Sequence, residues 1–139
     1  MGKPDSQQRG LAGEYYVAFI LSRLGYDIGI TIGRAKIFDM VAVAPGKEIN
    51  IQVKTTYSGR AWKAGHEFNS SENSVVALVR LGNFPTQEPE LYFLPGRKAS
   101  EFITHSTIPH IKHAKVLTKF RDHDFKLIER LLGKPGEGN

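Results

Sequence analysis

The chain contains no cysteine, so disulfide frameworks, thiol nucleophiles and thiolate zinc sites are excluded, and any metal must bind oxygen or histidine. No apolar run approaches the roughly 20 residues that cross a bilayer. The opening MGKPDSQQRG lacks the hydrophobic stretch of a signal peptide, so a soluble cytoplasmic protein with no membrane partner is the expectation. Neither GxxxxGKS/T nor GxGxxG occurs, which removes the P-loop and dinucleotide-binding classes and with them a nucleotide cofactor. There is no internal repeat, heptad or low-complexity tract, hence no linker. The 139 residues fit one domain, expected over residues 1–134, with a flexible tail at 135–139.

Acids are also in short supply. Fourteen Asp and Glu face nineteen Lys and Arg, a net charge of +5, which favours a polyanionic partner. The excess is local. Residues 54–66 hold Lys54, Arg60 and Lys63 with no acid, and residues 105–121 hold Lys112, Lys115, Lys119 and Arg121 with no acid. A merely solubilising basic face is the alternative. Hydrophobic residues at 40% and charged residues at 24% are ordinary for a folded globular chain.

Asp5 or Ser6 is placed to cap a helix running to about Leu24, stopped by Gly25. Its apolar stripe reads as Leu11, Ala18 and Leu21, with Val17 alongside, and Glu14 falls within it at 100° per residue. An inward carboxylate requires a cation or hydrogen-bond donors. Residues 26–32 and 37–44 read as strands separated by the polar stretch 33–36. Residues 48–55 form the next strand after Pro45-Gly46-Lys47, predicting an antiparallel hairpin. A turn centred on Gly46 and Lys47 would pair Ala44 with Ile49, Ala42 with Ile51 and Met40 with Val53, and would set Asp39 opposite Lys54. The run 74–81 reads as a central strand covered on both faces, followed by a strand at 90–94 and a short helix at 99–105. A last helix, capped by Asp122 or Asp124, aligns Phe125, Ile128 and Leu132 on one side.

Gln52 and Lys54 share one face of their strand. With Asp39 on the neighbouring strand they offer hard oxygens suited to Mg2+ and an ammonium beside the bound water. This is equipment for phosphodiester hydrolysis. Residues 13–18 (GEYYVA), 38–43 (FDMVAV) and 49–56 (INIQVKTT) resemble the PD-(D/E)xK nuclease superfamily, over roughly residues 10–56 and in the same helix, strand, hairpin order. That resemblance implies an α/β fold, a three-layer α/β/α restriction-endonuclease-like domain with a mixed central sheet. It implies Asp39, Gln52, Glu14 and the Val53 carbonyl as metal ligands, with Glu14, Asp39, Gln52 and Lys54 as the catalytic set. Phe38 stands where the family usually has proline, and Gln52 where it usually has the second acid, which lowers the site's negative charge. Some homing endonucleases of the superfamily carry glutamine there.

The expected activity is Mg2+-dependent endonucleolytic hydrolysis of DNA, Mn2+ substituting, by a homodimer or higher homo-oligomer. The alternatives are a noncatalytic domain of the same fold that binds nucleic acid or protein, and an RNA-directed nuclease. Arg34, Lys36, Arg60, Lys63, Lys112 and Lys115 are the expected phosphate contacts, and Tyr57 and Trp62 the candidates to stack on bases. Trp62 sealing a core edge is the competing reading. His105, His110, His113 and His123 lack metal-site spacing and read as an extension of the phosphate-facing surface with Lys112, Lys115 and Lys119.

Overall fold

The computed structural model describes residues 2–32, 37–83, 86–119 and 125–135, the side chains of 117–119 excepted. Arg34, Lys36, Asp122, Asp124, His123 and the tail beyond residue 135 lie outside the described residues.

Helix α1 (Ser6–Arg23) begins where a capping box closes. The Asp5 carboxylate accepts from the Gln8 amide at 2.8 Å and the Gln8 side chain accepts from the Asp5 amide at 2.9 Å, satisfying two donors that a helix start leaves orphaned. Leu24 caps the other end, and Gly25 turns the chain with φ +99, a conformation glycine adopts without a Cβ penalty. Strands β1 (Asp27–Ile30), β2 (Met40–Ala44), β3 (Lys47–Thr56), β5 (Ser74–Arg80) and β6 (Glu90–Pro95) form a five-stranded sheet in the order β1-β2-β3-β5-β6. Only the β3–β5 pair is parallel, so the sheet is mixed, as expected. Strands β4 (Ala61–Lys63), β7 (Ile103–Thr104) and β8 (His110–Lys112) make a second sheet in the order β4-β8-β7. Helices α2 (Gly96–Glu101), α3 (His113–Lys119) and α4 (Lys126–Leu132) complete the chain.

Two apolar clusters flank the five-stranded sheet. On one face Val17 and Leu21 of α1 and Ile128 and Leu132 of α4 bury Met40, Ala42, Ile49, Ile51, Val75, Ala77 and Val79. On the other, Val76, Leu78 and Leu94 meet Trp62, Ile111, Ile103, Ala99 and Val116 from β4, β8, β7, α2 and α3. The second outer layer is therefore a small sheet with two short helices. Residues 74–79 are buried on both faces because β5 is covered by both layers.

Several expectations change. The hairpin turn centres on Pro45 and Gly46, so Ala44 pairs with Lys47, Ala42 with Ile49 and Met40 with Ile51. Proline presets φ for the first turn position and Gly46 takes φ +72 at the second, the residue order a type II turn requires. The slip of two residues keeps every side chain on its predicted face. The predicted helix at 99–105 starts earlier, at Gly96, and gives way to β7. The buried line of α1 is Gly13, Val17 and Leu21. Leu11, at 47% exposure, faces solvent with Tyr15 and Phe19. The helix rotates because Gly13 lets it settle directly onto β3: a Cβ there would sit 2.9 Å from Thr55 Cβ. Gly13→Val should therefore force the helix off the sheet and cost about 1–3 kcal/mol, measured as a lower urea midpoint with an unchanged slope. A wild-type midpoint would show that α1 is not seated on Thr55.

Candidate functional site

The corrected register sets Asp39 level with Gln52 rather than Lys54. Asp39 sits just ahead of β2, its amide donating to Ile51 O at 2.9 Å and its Oδ2 accepting from the Val53 amide at 2.7 Å. Main chain and side chain thus bracket Gln52, and the carboxylate takes the place of a backbone acceptor in the ladder. Charge-assisted bonds of this kind fix orientation more firmly than neutral ones. β2 ends its pairing at Met40, so β3 runs on past Ile51 with β5 alone as its ladder partner. That open edge is where the sheet becomes accessible.

Gln52 and Lys54 pair with Val76 and Leu78 of β5 and project to the face of the second cluster. Both are half-buried. Val53 projects to the opposite face, where it packs against the first cluster, and only its backbone is available to a ligand. Glu14 is half-buried and follows the glycine that faces Thr55, on a helix that packs on the first-cluster face of β3. The structure thus gathers Asp39, Gln52, Val53 and Lys54, with Glu14 on the adjoining helix. Among the described residues no three His, Asp or Glu side chains cluster so as to hold a metal ion. The oxygen-bearing side chains at this end of the sheet are the Asp39 carboxylate, which accepts from the Val53 amide, and the half-buried Gln52 level with it.

Lys54 opens into a cleft of about 480 Å³ lined by Lys3, Ser6, Arg9, Lys63 and the segment from Lys54 to Gly59. Four cations and no carboxylate line it. Lys3 lies over the Tyr57 ring at 5.9 Å, within cation–π range, and Tyr57 borders the cleft. Lys3 and Arg9 were not singled out by sequence, though the lack of other basic residues before Arg23 made them visible. A second groove, lined by Arg60, Arg80, His110, Lys112 and His113, lies across the loop that leaves β3. Arg60 and Lys112 are exposed there, Lys63 is exposed at the first cleft, and Lys115 is exposed on α3.

Two expectations fail. Trp62 is 1% exposed, its Nε1 donates to Val79 O at 2.9 Å, and its ring meets Tyr92 edge-on at 6.1 Å. Alternation along β4 turns Ala61 and Lys63 outward and Trp62 inward, so it is core and does not stack on bases. His113 is likewise no phosphate contact. Its Nε2 lies 2.7 Å from Glu90 Oε2, the atom that also accepts from Tyr92 Oη at 2.7 Å. Partial burial pushes the Glu90 carboxyl up, but the Tyr92 and His113 hydrogen bonds and the charges of His113 and Arg80 outweigh it and hold it below its ordinary value.

No family model and no curated protein matches the chain. Among solved structures it is similar to the bacterial homing endonuclease I-Ssp6803I, with a TM-score of 0.53 and 14% identity over 76% of this chain and 74% of that one. It is also similar to Hjc, a Holliday junction resolvase of the archaeal hyperthermophile Archaeoglobus fulgidus, with a TM-score of 0.47 and 18% identity over 76% and 84%. The first likeness establishes the fold: the mixed α/β architecture is restriction-endonuclease-like.

Proposed function

We propose that this protein is a metal-dependent endonuclease that hydrolyses DNA phosphodiester bonds with Mg2+, Mn2+ substituting. The observation that carries the reading is Asp39, locked level with Gln52 by the Val53 amide at 2.7 Å, at an open strand edge where Lys54 leads into a cleft of cations. Fold alone does not choose a function; the combination of oxygen-bearing side chains, a lysine and a cleft lined by cations is what supports this reading.

Asp39, Gln52, the Val53 carbonyl and Glu14 would hold the metal, which supplies an activated water and charge neutralisation at the phosphoryl group. Lys54 orients the attacking water and offsets charge that develops on a phosphoryl oxygen. Water adds to phosphorus and the P–O bond to the leaving sugar oxygen breaks; Glu14 helps to relay to solvent the proton that water gives up, and the departing oxygen takes a proton from solvent and leaves as a hydroxyl. Lys3, Arg9 and Lys63 hold the backbone of the strand. A single site per chain cuts one strand at a time, so a homo-oligomer would serve both; the exposed α1 stripe of Leu11, Tyr15 and Phe19 is compatible with one.

Gln52 favours one competing reading, a noncatalytic nucleic-acid-binding domain, because it removes a charge that a metal would use. The purified protein is to be incubated with plasmid, branched and single-stranded DNA and with RNA, in Mg2+, Mn2+ or chelator. Cutting of DNA in metal and none in chelator is the expected result. Binding with no cutting of any substrate would establish the noncatalytic reading, and cutting confined to RNA would reassign the substrate.

A further inference from the structure

The loop between β3 and β4 has its carbonyls drawn to one side. Leu81 N–H donates to Thr56 O at 2.9 Å, Gly82 N–H to Tyr57 O at 2.7 Å and His113 N–H to Arg60 O at 2.7 Å. Between them, Arg80 donates from Nη2 to Ser58 O at 3.2 Å and from Nε to Gly59 O at 3.1 Å. Arg80 is itself steadied by Glu90 Oε1 at 3.2 Å. A trans peptide unit is planar and points its C=O and N–H in opposite directions. With the carbonyls of Tyr57 and Ser58 turned towards Gly82 and Arg80, the amides of Ser58 and Gly59 are turned away from them.

What lies on that other side is the cleft. Arg80 lines the groove behind the loop, whereas Ser58 and Gly59 line the cleft with Lys3, Arg9, Lys54 and Lys63. Gly59 has no side chain to shield its amide, and a Cβ there would come within 2.7 Å of Thr56 Oγ1. Successive amides directed into a concavity bind anions, and the surrounding ammonium and guanidinium groups would strengthen the hold.

We propose that the Ser58 and Gly59 amides, with Lys3, Arg9 and Lys63, form a cradle for one phosphate group of a nucleic-acid strand next to the reacting position, and that Arg80 is a positioning residue that sets the cradle from behind. This rests on the nuclease reading and deepens it by stating where a neighbouring phosphate is held. Its recognition is of phosphate, so it adds affinity and register without reading base sequence.

The test is a titration of the full chain, in chelator, with a 12-base-pair DNA duplex, followed by amide proton–nitrogen NMR and repeated with inorganic phosphate. The Ser58 and Gly59 resonances should move in both titrations. Lys3→Ala and Arg9→Ala should each reduce the slope of log affinity against log salt by about 1. Ser58→Pro, which removes the amide proton, should bind the duplex more weakly than Ser58→Ala, which keeps it. Duplex binding that leaves both amides unmoved, or equal binding by the Pro and Ala variants, would overturn the cradle alone. Should Ser58→Pro fail to fold, the wild-type amide response decides. No duplex binding by the wild type would overturn the cradle and the nuclease reading together.

Discussion

Asp39→Asn should abolish metal-dependent cutting, by roughly 10³-fold, the upper end of what removing one preorganised group costs a transition state, while leaving the protein folded and DNA-bound. The amide retains an oxygen to accept the 2.7 Å bond from the Val53 amide, so the strand edge keeps its partner. What is lost is the negative charge that a cation needs. Asp39→Ala removes both, and the orphaned Val53 amide should cost about 1–3 kcal/mol of stability in addition. The pair of variants therefore separates chemistry from architecture: both lose cutting, and only the alanine loses stability. DNA affinity in chelator should hold or rise, because a negative charge beside the phosphates has gone. Lys54→Ala should lose cutting by roughly 10²–10³-fold and, since Lys54 lines the cleft, bind DNA more weakly as well. Single-turnover cleavage, urea unfolding and anisotropy measure the three quantities. Cutting by Asp39→Asn at the wild-type rate would remove Asp39 from the site.

Trp62→Ala should be the most destabilising single change, at about 3–5 kcal/mol, against a total stability of about 5–15 kcal/mol for a domain. The ring fills the centre of the second cluster, touches Tyr92 and His113, and donates to Val79 O. Trp62→Phe keeps much of the volume but leaves the Val79 carbonyl without its donor, and should cost about 1–3 kcal/mol. Far-UV circular dichroism in urea is the appropriate probe, because Trp62 is the only tryptophan and fluorescence disappears with it. In the wild type that single fluorophore offers a second check. A buried ring should resist iodide quenching, and added DNA should not change its emission by stacking. A Trp62→Ala variant as stable as the wild type but defective in DNA binding would return the residue to the surface.

How much was legible in the sequence varies with the range of the interactions involved. A helix start at Asp5 or Ser6 was readable because a cap acts within one turn, and the structure's capping box with Gln8 selects Asp5. The double burial of the run from Ser74 was readable because its apolar residues are continuous. Asp39, Gln52 and Lys54 could be grouped because strand alternation and hairpin pairing are both short-range. Their mutual level could not be read correctly: it depended on which two residues of Pro45-Gly46-Lys47 occupy the turn, a choice decided by backbone torsions that composition does not reveal. The face of α1 was misread for a different reason. Gly13 contributes nothing to an apolar stripe, yet it is the residue that lets the helix touch Thr55, and Leu11, which looked like core, was turned outward.

The sequence by itself determined the secondary elements of the first half, the basic bias, the exclusion of thiol chemistry, and the grouping of an aspartate, a glutamine and a lysine on one hairpin. Tertiary structure alone decided that Trp62 belongs to the interior and His113 is tied to Glu90, that Lys3 and Arg9 come to stand beside Lys54, and that Arg80 draws the loop carbonyls to the rear. The reason is physical. Period and turn chemistry are carried by residues a few positions apart, whereas the cleft unites α1, β3 and β4, and the inward turn of Trp62 depends on a three-residue strand too short to display a period until β8 pairs with it.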